Sequence, residues 1–361
     1  MRTFTCACGN TLHFENTHCV VCGRQVGFDT GTRTMVALDP AGDNVWQISG
    51  TGERRRICAN GTEYGVCNWL IPESSANARC DSCRLNQIIP NLGESDHLVL
   101  WGRLEAAKRR LLYTLLQLNL PFETDPRQAG ALAFRFLAEA GPRAEVPGAN
   151  DRSEPVYTGH HHGVITINLK EADTGTRESI REAMNEPYRS LLGHFRHESG
   201  HYFWDRLIRD TSRQDEFRAL FGDERTPYQE ALASYYARPA PDPWPGLYVS
   251  AYASAHPWED WAETWAHYLH MIDGLDTAFA QGLELGEISF GPLYTGPDGS
   301  AALPWEEGFV SFDELVRRWQ ALTVTLNAMN RSLGLSDVYP FALSEAVIDK
   351  LEFVHRVVHD L

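Results

Sequence analysis

Three groups of residues in this chain have types and spacings that could do chemistry. The first is His197-Glu198-Ser199-Gly200-His201, an HExxH pattern inside GHFRHESGHYFWDRLI. At 3.6 residues per turn, positions i and i+4 share one helical face, so both imidazoles can reach a single zinc ion. Glu198 then projects beside the open coordination position, where it can take a proton from a metal-activated water. The second group is Cys6-Ala-Cys8-Gly with Cys19-Val-Val-Cys22-Gly, two tight knuckles each followed by a glycine. Four thiolates close a tetrahedron and leave no position for substrate, so this site is read as structural zinc. The third is Cys58, Cys67, Cys80 and Cys83, with one CxxC knuckle and a looser pair. It is read as a second structural zinc site, pairing across the two cysteine sets being the competing arrangement. All eight cysteines lie between Cys6 and Cys83, and the start MRTFTCACGN has no apolar signal region. Thiolate metal sites in a reducing, cytoplasmic compartment therefore fit better than disulfides.

A catalytic zinc needs a third protein ligand. Trp204 and Leu207 occupy the positions where a metzincin would have its glycine and third histidine, which excludes that class. Downstream, HPWEDWAETWAHYLH places Glu259 and Glu263 one turn apart among Trp258, Trp261 and Trp265. Two acids on so apolar a helix need a positive partner, and zinc with its histidines would supply it.

HExxH followed by a helix carrying ExxxE resembles the gluzincins. The resemblance implies that Glu259 is the third zinc ligand and that Glu263 hydrogen-bonds a ligand histidine, fixing its tautomer. The position of Glu259, in the first turn after Pro257, agrees with that choice. More closely, TGHHHGVITINLKEAD, RESIREAMNEPYRSLLGHFRHESGHYFWDRL and HPWEDWAETWAHYLH, behind a cysteine-rich head, resemble a bacterial family of zinc-binding metallopeptidases with an N-terminal zinc-ribbon module. Tyr252 lies seven residues before Glu259, similar to the transition-state tyrosine of lethal-factor-type gluzincins, and would donate to the developing oxyanion. Tyr248 or a histidine is the alternative donor, with Tyr252 then a packing residue. In a zincin-like fold the strand after His160-His161-His162 would be the edge above the cleft, able to pair with an extended substrate. A solvated turn is the plainer reading of the three histidines. His194 reads as a core or capping residue, and His267 as structural or a partner of a ligand.

The elements that must position these groups follow from periodicity. Residues 1–90 read as a small β-rich, metal-stapled region and 91–361 as the metallopeptidase domain, giving an α+β chain with a mainly helical second part and a small sheet. HLVLWGRLEAAKRRLLYTLLQL spaces its apolar residues by three and four, predicting a helix that ends at Pro121. Alternation over 164–169 predicts a half-buried strand. Helices are expected at 176–209, 212–221, 226–237, 257–282, 311–333 and 342–359, with Pro and Gly clusters at 239–246 and 291–304 as punctuation.

The net charge of −16 opposes binding to nucleic acid or an anionic membrane surface, and Arg54-Arg55-Arg56 and Lys108-Arg109-Arg110 are too short to define a phosphate groove. No window is long and apolar enough to span a membrane, so a soluble protein is expected. The function these residues imply is hydrolysis of peptide or other amide bonds, with one catalytic and one or two structural zincs and a peptide or protein substrate. The competing reading is a non-catalytic zinc protein whose ribbon binds a protein or nucleic-acid partner. Glu198 argues against it, because a structural metal site has no use for a base.

Overall fold

A computed structural model describes residues 2–123, 125, 128, 130–139, 156–184, 186–238, 246–293 and 310–360. The class is α+β, as expected, and the chain divides into two compact units: Arg2–Leu116 with Pro121–Leu192, and Gln117–Leu120 with Gly193–Leu361.

The first unit begins with a hairpin, β1 (Phe4–Thr5) and β2 (Thr11–Leu12). An antiparallel meander follows: β3 (Gln25–Asp29), β4 (Thr34–Gly42), β5 (Val45–Ile48), β6 (Arg54–Ile57) and, after the short helix α1 (Ala59–Tyr64), β7 (Leu70–Pro72). A helical turn, α2 (Asp81–Arg84), leads into β8 (Asn86–Ile88) and the long helix α3 (His97–Gln117). α3 buries Trp101, Leu104, Leu111, Leu112 and Leu115, the residues its spacing marked as one face. Its Tyr113 packs edge-on against Phe14 and Phe28, at 5.2 and 5.8 Å between ring centroids. The helix stops at Gln117 rather than at Pro121, and Asn119 adopts a positive φ of 53° that ends it earlier.

The second sheet of this unit has the order β10-β11-β9-β8, with β9 at Ala133–Leu137, β10 at Gly159–His161 and β11 at Val164–Asn168. β11 buries alternate residues, as its pattern predicted, but it is not an edge strand. His162 and Gly163 have φ of 48° and 86°, the two positive values a tight hairpin turn requires, and they fold β10 back along β11. His160 and His161 therefore sit in the edge strand itself. The unit closes with α4 (Thr174–Ala183).

Five helices carry most of the second unit: α5 (Leu191–Leu207), α6 (Gln214–Phe221), α7 (Tyr228–Tyr236), α8 (Pro257–Ala280) and α9 (Phe312–Ser332), followed by α10 (Glu345–His359). A two-stranded ribbon, β12 (Glu284–Leu285) and β13 (Ile288–Ser289), follows α8. The single helix expected at 176–209 is two, α4 and α5. Pro187 explains the break: it donates no hydrogen bond and pushes Glu186 away from helical torsions. The Pro and Gly clusters at 239–246 and 291–304 lie outside the described residues except for 246 and 291–293. The core around α8 is aromatic: Trp265 stacks on Phe203 at 4.8 Å, and Trp261 meets Phe217 and Phe353.

Candidate metal centre

α5 and α8 meet at a close crossing, and the two middle residues of the HExxH pattern explain it. A Cβ on Gly200 would lie 2.8 Å from the Ala262 Cα, so only glycine admits this approach. The Trp261 indole donates to the Gly200 carbonyl at 2.8 Å, and that of Trp265 donates to Ser199 Oγ at 3.1 Å. A buried Arg196–Asp273 ion pair joins the same two helices. At the start of α8, His256 caps the helix by accepting from the Trp258 N–H at 3.1 Å, and Pro257 occupies the first turn. The cap fixes the first turn, and with it Glu259.

The structure brings His197, His201 and Glu259 together, with one ligand atom of each within 4.8 Å of the others. Glu259 Oε2 lies 2.9 Å from His197 Nε2 and 3.5 Å from His201 Nε2. A tetrahedral zinc with bonds of about 2.0–2.1 Å holds neighbouring donors about 3.3–3.4 Å apart, so the set fits that ion. Glu259 is 1% exposed, and its Oε2 accepts no hydrogen bond of ordinary geometry, which a buried carboxylate tolerates only beside a cation. Glu263 stands behind His197, accepting from its Nδ1 at 2.7 Å, and Ser250 Oγ donates to the other Glu263 oxygen at 2.6 Å. Glu198 is buried, and its Oε2 has no hydrogen-bond partner.

The electrostatics agree with a cation-seeking site. Burial alone would raise Glu259, but His201 and His197 hold it well below the ordinary glutamate value. Burial likewise opposes, and the His197 hydrogen bond outweighs it, in holding Glu263 down to about 2. His197 would be lowered by burial, yet Glu259 on one ring nitrogen and Glu263 on the other carry it well above the ordinary histidine value. A zinc ion held here would take the place of such a proton, because a ligand imidazole must be neutral. Glu198 is pushed upward by its burial.

Two groups at this site have no sequence signature. The Tyr228 phenol donates to Glu259 Oε1 at 2.5 Å, and Ser250 anchors Glu263. The Tyr252 ring lies 5.9 Å from that of His197. His267 is not among the converging donors and pairs its Nδ1 with the Tyr339 hydroxyl at 2.7 Å. His160, His161 and His162 belong to the other compact unit.

Each cysteine set gathers by itself rather than pairing across sets, and all eight thiols are free. Sulfur separations are 3.7 Å for Cys6–Cys22 and for Cys8–Cys19, and 3.6 Å for Cys67–Cys80. Zinc–sulfur bonds of about 2.3 Å place thiolates about 3.8 Å apart, so both sets fit zinc. Gly9 and Gly23 take φ of 85° and 72°, the left-handed turn each knuckle needs. The second set is wholly buried, and below it Cys83 Sγ lies 3.8 Å from Glu105, which is paired with Lys108 at 3.0 Å.

The chain matches known families over nearly its whole length. Residues 97–357 match the family described as "Putative zinc-binding metallo-peptidase", and residues 3–94 match a zinc-ribbon domain. Uncharacterized proteins of Mycobacterium bovis and of two Mycobacterium tuberculosis strains are 39% identical over 366 residues, covering 100% of this chain and 96% of theirs. No solved structure matches. With a histidine–glutamate centre and two four-cysteine sets that suit zinc, the chain belongs to this family of zinc-binding metallo-peptidases, headed by a zinc ribbon.

Proposed function

We propose that the chain is a gluzincin-type zinc peptidase that hydrolyses peptide bonds, with residues 1–90 as the ribbon region and 91–361 as the catalytic region. The observation that carries this reading is the convergence of His197, His201 and Glu259 beside a buried Glu198 oxygen that has no other partner. Those three residues would hold zinc, which when bound supplies a Lewis acid that acidifies water and polarises a carbonyl. Glu198 accepts the proton of the attacking water and returns it to the leaving amine. Glu263 keeps the His197 proton on Nδ1, so that Nε2 presents its lone pair toward the metal. Tyr252 offers a phenol proton to the developing oxyanion. Peptide or protein is the substrate class because an amide needs a nucleophile, an oxyanion donor and a proton for the leaving nitrogen. Eight thiolates gathered as metal sets suit a reducing compartment, and we place the enzyme in the cytoplasm.

The test is Glu198→Gln assayed on a peptide library, with zinc content measured in parallel. The variant retains its zinc and loses hydrolysis by several orders of magnitude, because a base is removed and no ligand is. Cleavage at the wild-type rate would end the peptidase mechanism. Zinc bound in wild type with no peptide cleaved would instead favour a binding protein.

A further inference from the structure

The two oxygens of Glu259 have different neighbours. Oε2 faces the Nε2 atoms of His197 and His201, at 2.9 and 3.5 Å. Oε1 accepts the Tyr228 phenol at 2.5 Å. An ionised carboxylate only accepts hydrogen bonds, so the phenol must be the donor, and one lobe of the carboxylate is thereby committed away from the metal. A carboxylate with both oxygens free can grip a metal through both, the second oxygen adding a fifth donor that crowds the position a catalytic zinc keeps for water and substrate.

We infer that Tyr228 is a positioning residue that confines Glu259 to one-oxygen ligation and so keeps the zinc's fourth position open. The proposal rests on the ligand set proposed above. The surroundings of Tyr228 suit such a task. It opens α7 directly after Pro227, whose ring fixes one backbone torsion at the helix entrance. Its own ring packs edge-on against His256 at 5.1 Å and lies against Trp258 at 5.9 Å. His256 and Trp258 belong to the capped start of α8, three residues and one residue before Glu259, so the donor and the carboxylate it restrains share one rigid corner. The short hydrogen bond also draws electron density from the carboxylate. Oε2 is left a weaker donor and a bound metal a stronger Lewis acid, the opposite of what an acceptor such as Glu263 does behind His197.

The test uses the full chain with zinc left in both thiolate sets, the open site stripped by a mild chelator and refilled with Co2+. Wild type should show the strong visible absorption of four-coordinate cobalt, without thiolate charge-transfer bands. In Tyr228→Phe the freed Oε1 adds a fifth donor, and the visible intensity falls, because the strong absorption depends on the four-coordinate, near-tetrahedral geometry that is lost. Unchanged intensity in that variant, with the thiolate zincs and helical circular dichroism retained, overturns the role of Tyr228. Should the variant not fold, cobalt-edge X-ray absorption on the wild-type hybrid decides: four light donors support the inference, and five overturn it. Wild type that takes up no cobalt at all fails differently, because it removes the ligand set on which the inference stands.

Discussion

Glu259 and Glu263 sit one turn apart on α8, yet they meet opposite sides of the same imidazole. Glu259 Oε2 is 2.9 Å from His197 Nε2, whereas Glu263 Oε1 is 2.7 Å from Nδ1 and its other oxygen is held by Ser250. Only Glu259 shares its neighbourhood with His201 as well. Glu259→Ala should therefore abolish zinc retention at the open site, while Glu263→Ala weakens zinc binding by about 10–100-fold, the common cost of losing a ligand's partner. Zinc titration of the two variants gives the order, and the reverse order refutes the assignment. Tyr252→Phe is expected to lower turnover with zinc occupancy and KM nearly unchanged, by about 3 kcal/mol in the barrier if its phenol serves the oxyanion. A change only in the unfolding midpoint would make Tyr252 a packing residue. Legibility differs among these residues for physical reasons. His197 and His201 can be read from sequence because helical periodicity alone puts i and i+4 on one face. Tyr228 and Ser250 arrive from segments 31 and 13 residues away from the acids they touch, and no periodicity links such positions.

Among the elements, the α5–α8 crossing sets how far the histidines stand from Glu259. Gly200→Ala would drive a Cβ to 2.8 Å from the Ala262 backbone, and backbone cannot rotate aside as a flexible side chain can. The helices must separate, at a cost of about 1–3 kcal/mol typical of overpacking. Zinc affinity should fall along with the unfolding midpoint, and a variant with native affinity would show that the crossing does not set the ligand geometry. The helices themselves are legible from their apolar spacing, but the break between α4 and α5 is not, because amphipathic periodicity continues past Pro187. The partners of β11 were hidden for a different reason: its alternation shows which face is buried, while the turn at His162-Gly163 decides what lies beside it. The contact between α8 and α10 predicts a pH response. Tyr268 on α8 meets His355 Nδ1 and His359 Nε2 on α10, each at 3.0 Å. Burial lowers His355 from 6.5 to about 4, and burial with the neighbouring His355 lowers His359 from 6.5 to about 3. Between those values and 6.5 the unfolded chain binds protons that the fold refuses, so stability is full above about pH 6.5 and declines as pH falls toward 4. Urea midpoints measured across that window should fall with pH, less steeply in His355→Phe/His359→Phe. Parallel profiles for the variant and the wild type would refute the histidines as the cause.

For the whole molecule, charge and metal content define the behaviour to be expected. A net charge of −16 resists polyanions, and among the described residues no helix is long and apolar enough to cross a membrane. The ribbon and peptidase regions were legible from cysteine spacing and from HExxH, because metal ligands impose spacings that survive without any knowledge of packing. The burial of each metal set was not legible, since it depends on which helices cover it, and it governs how the metals leave. The open site offers three protein donors. Of the thiolate sets, Cys6, Cys8, Cys19 and Cys22 include an exposed and a half-buried sulfur, whereas Cys58, Cys67, Cys80 and Cys83 are all buried. The second set is also tied into α1 and α2, whose first turns follow Cys58 and Cys80, and Cys83 meets Glu105 of α3. A chelator added in steps should therefore remove zinc in the order open site, first thiolate set, second thiolate set. The first loss should leave far-ultraviolet circular dichroism unchanged, because α5 and α8 are held by Gly200, Trp261 and Trp265 rather than by the ion. The last should unfold the unit built around α3, since a four-thiolate zinc contributes its binding energy directly to folding. A zinc-sensitive dye and circular dichroism recorded together follow each step. Release of all zinc in one phase, accompanied by loss of helix from the outset, would mean that the open site is structural and the peptidase reading is wrong.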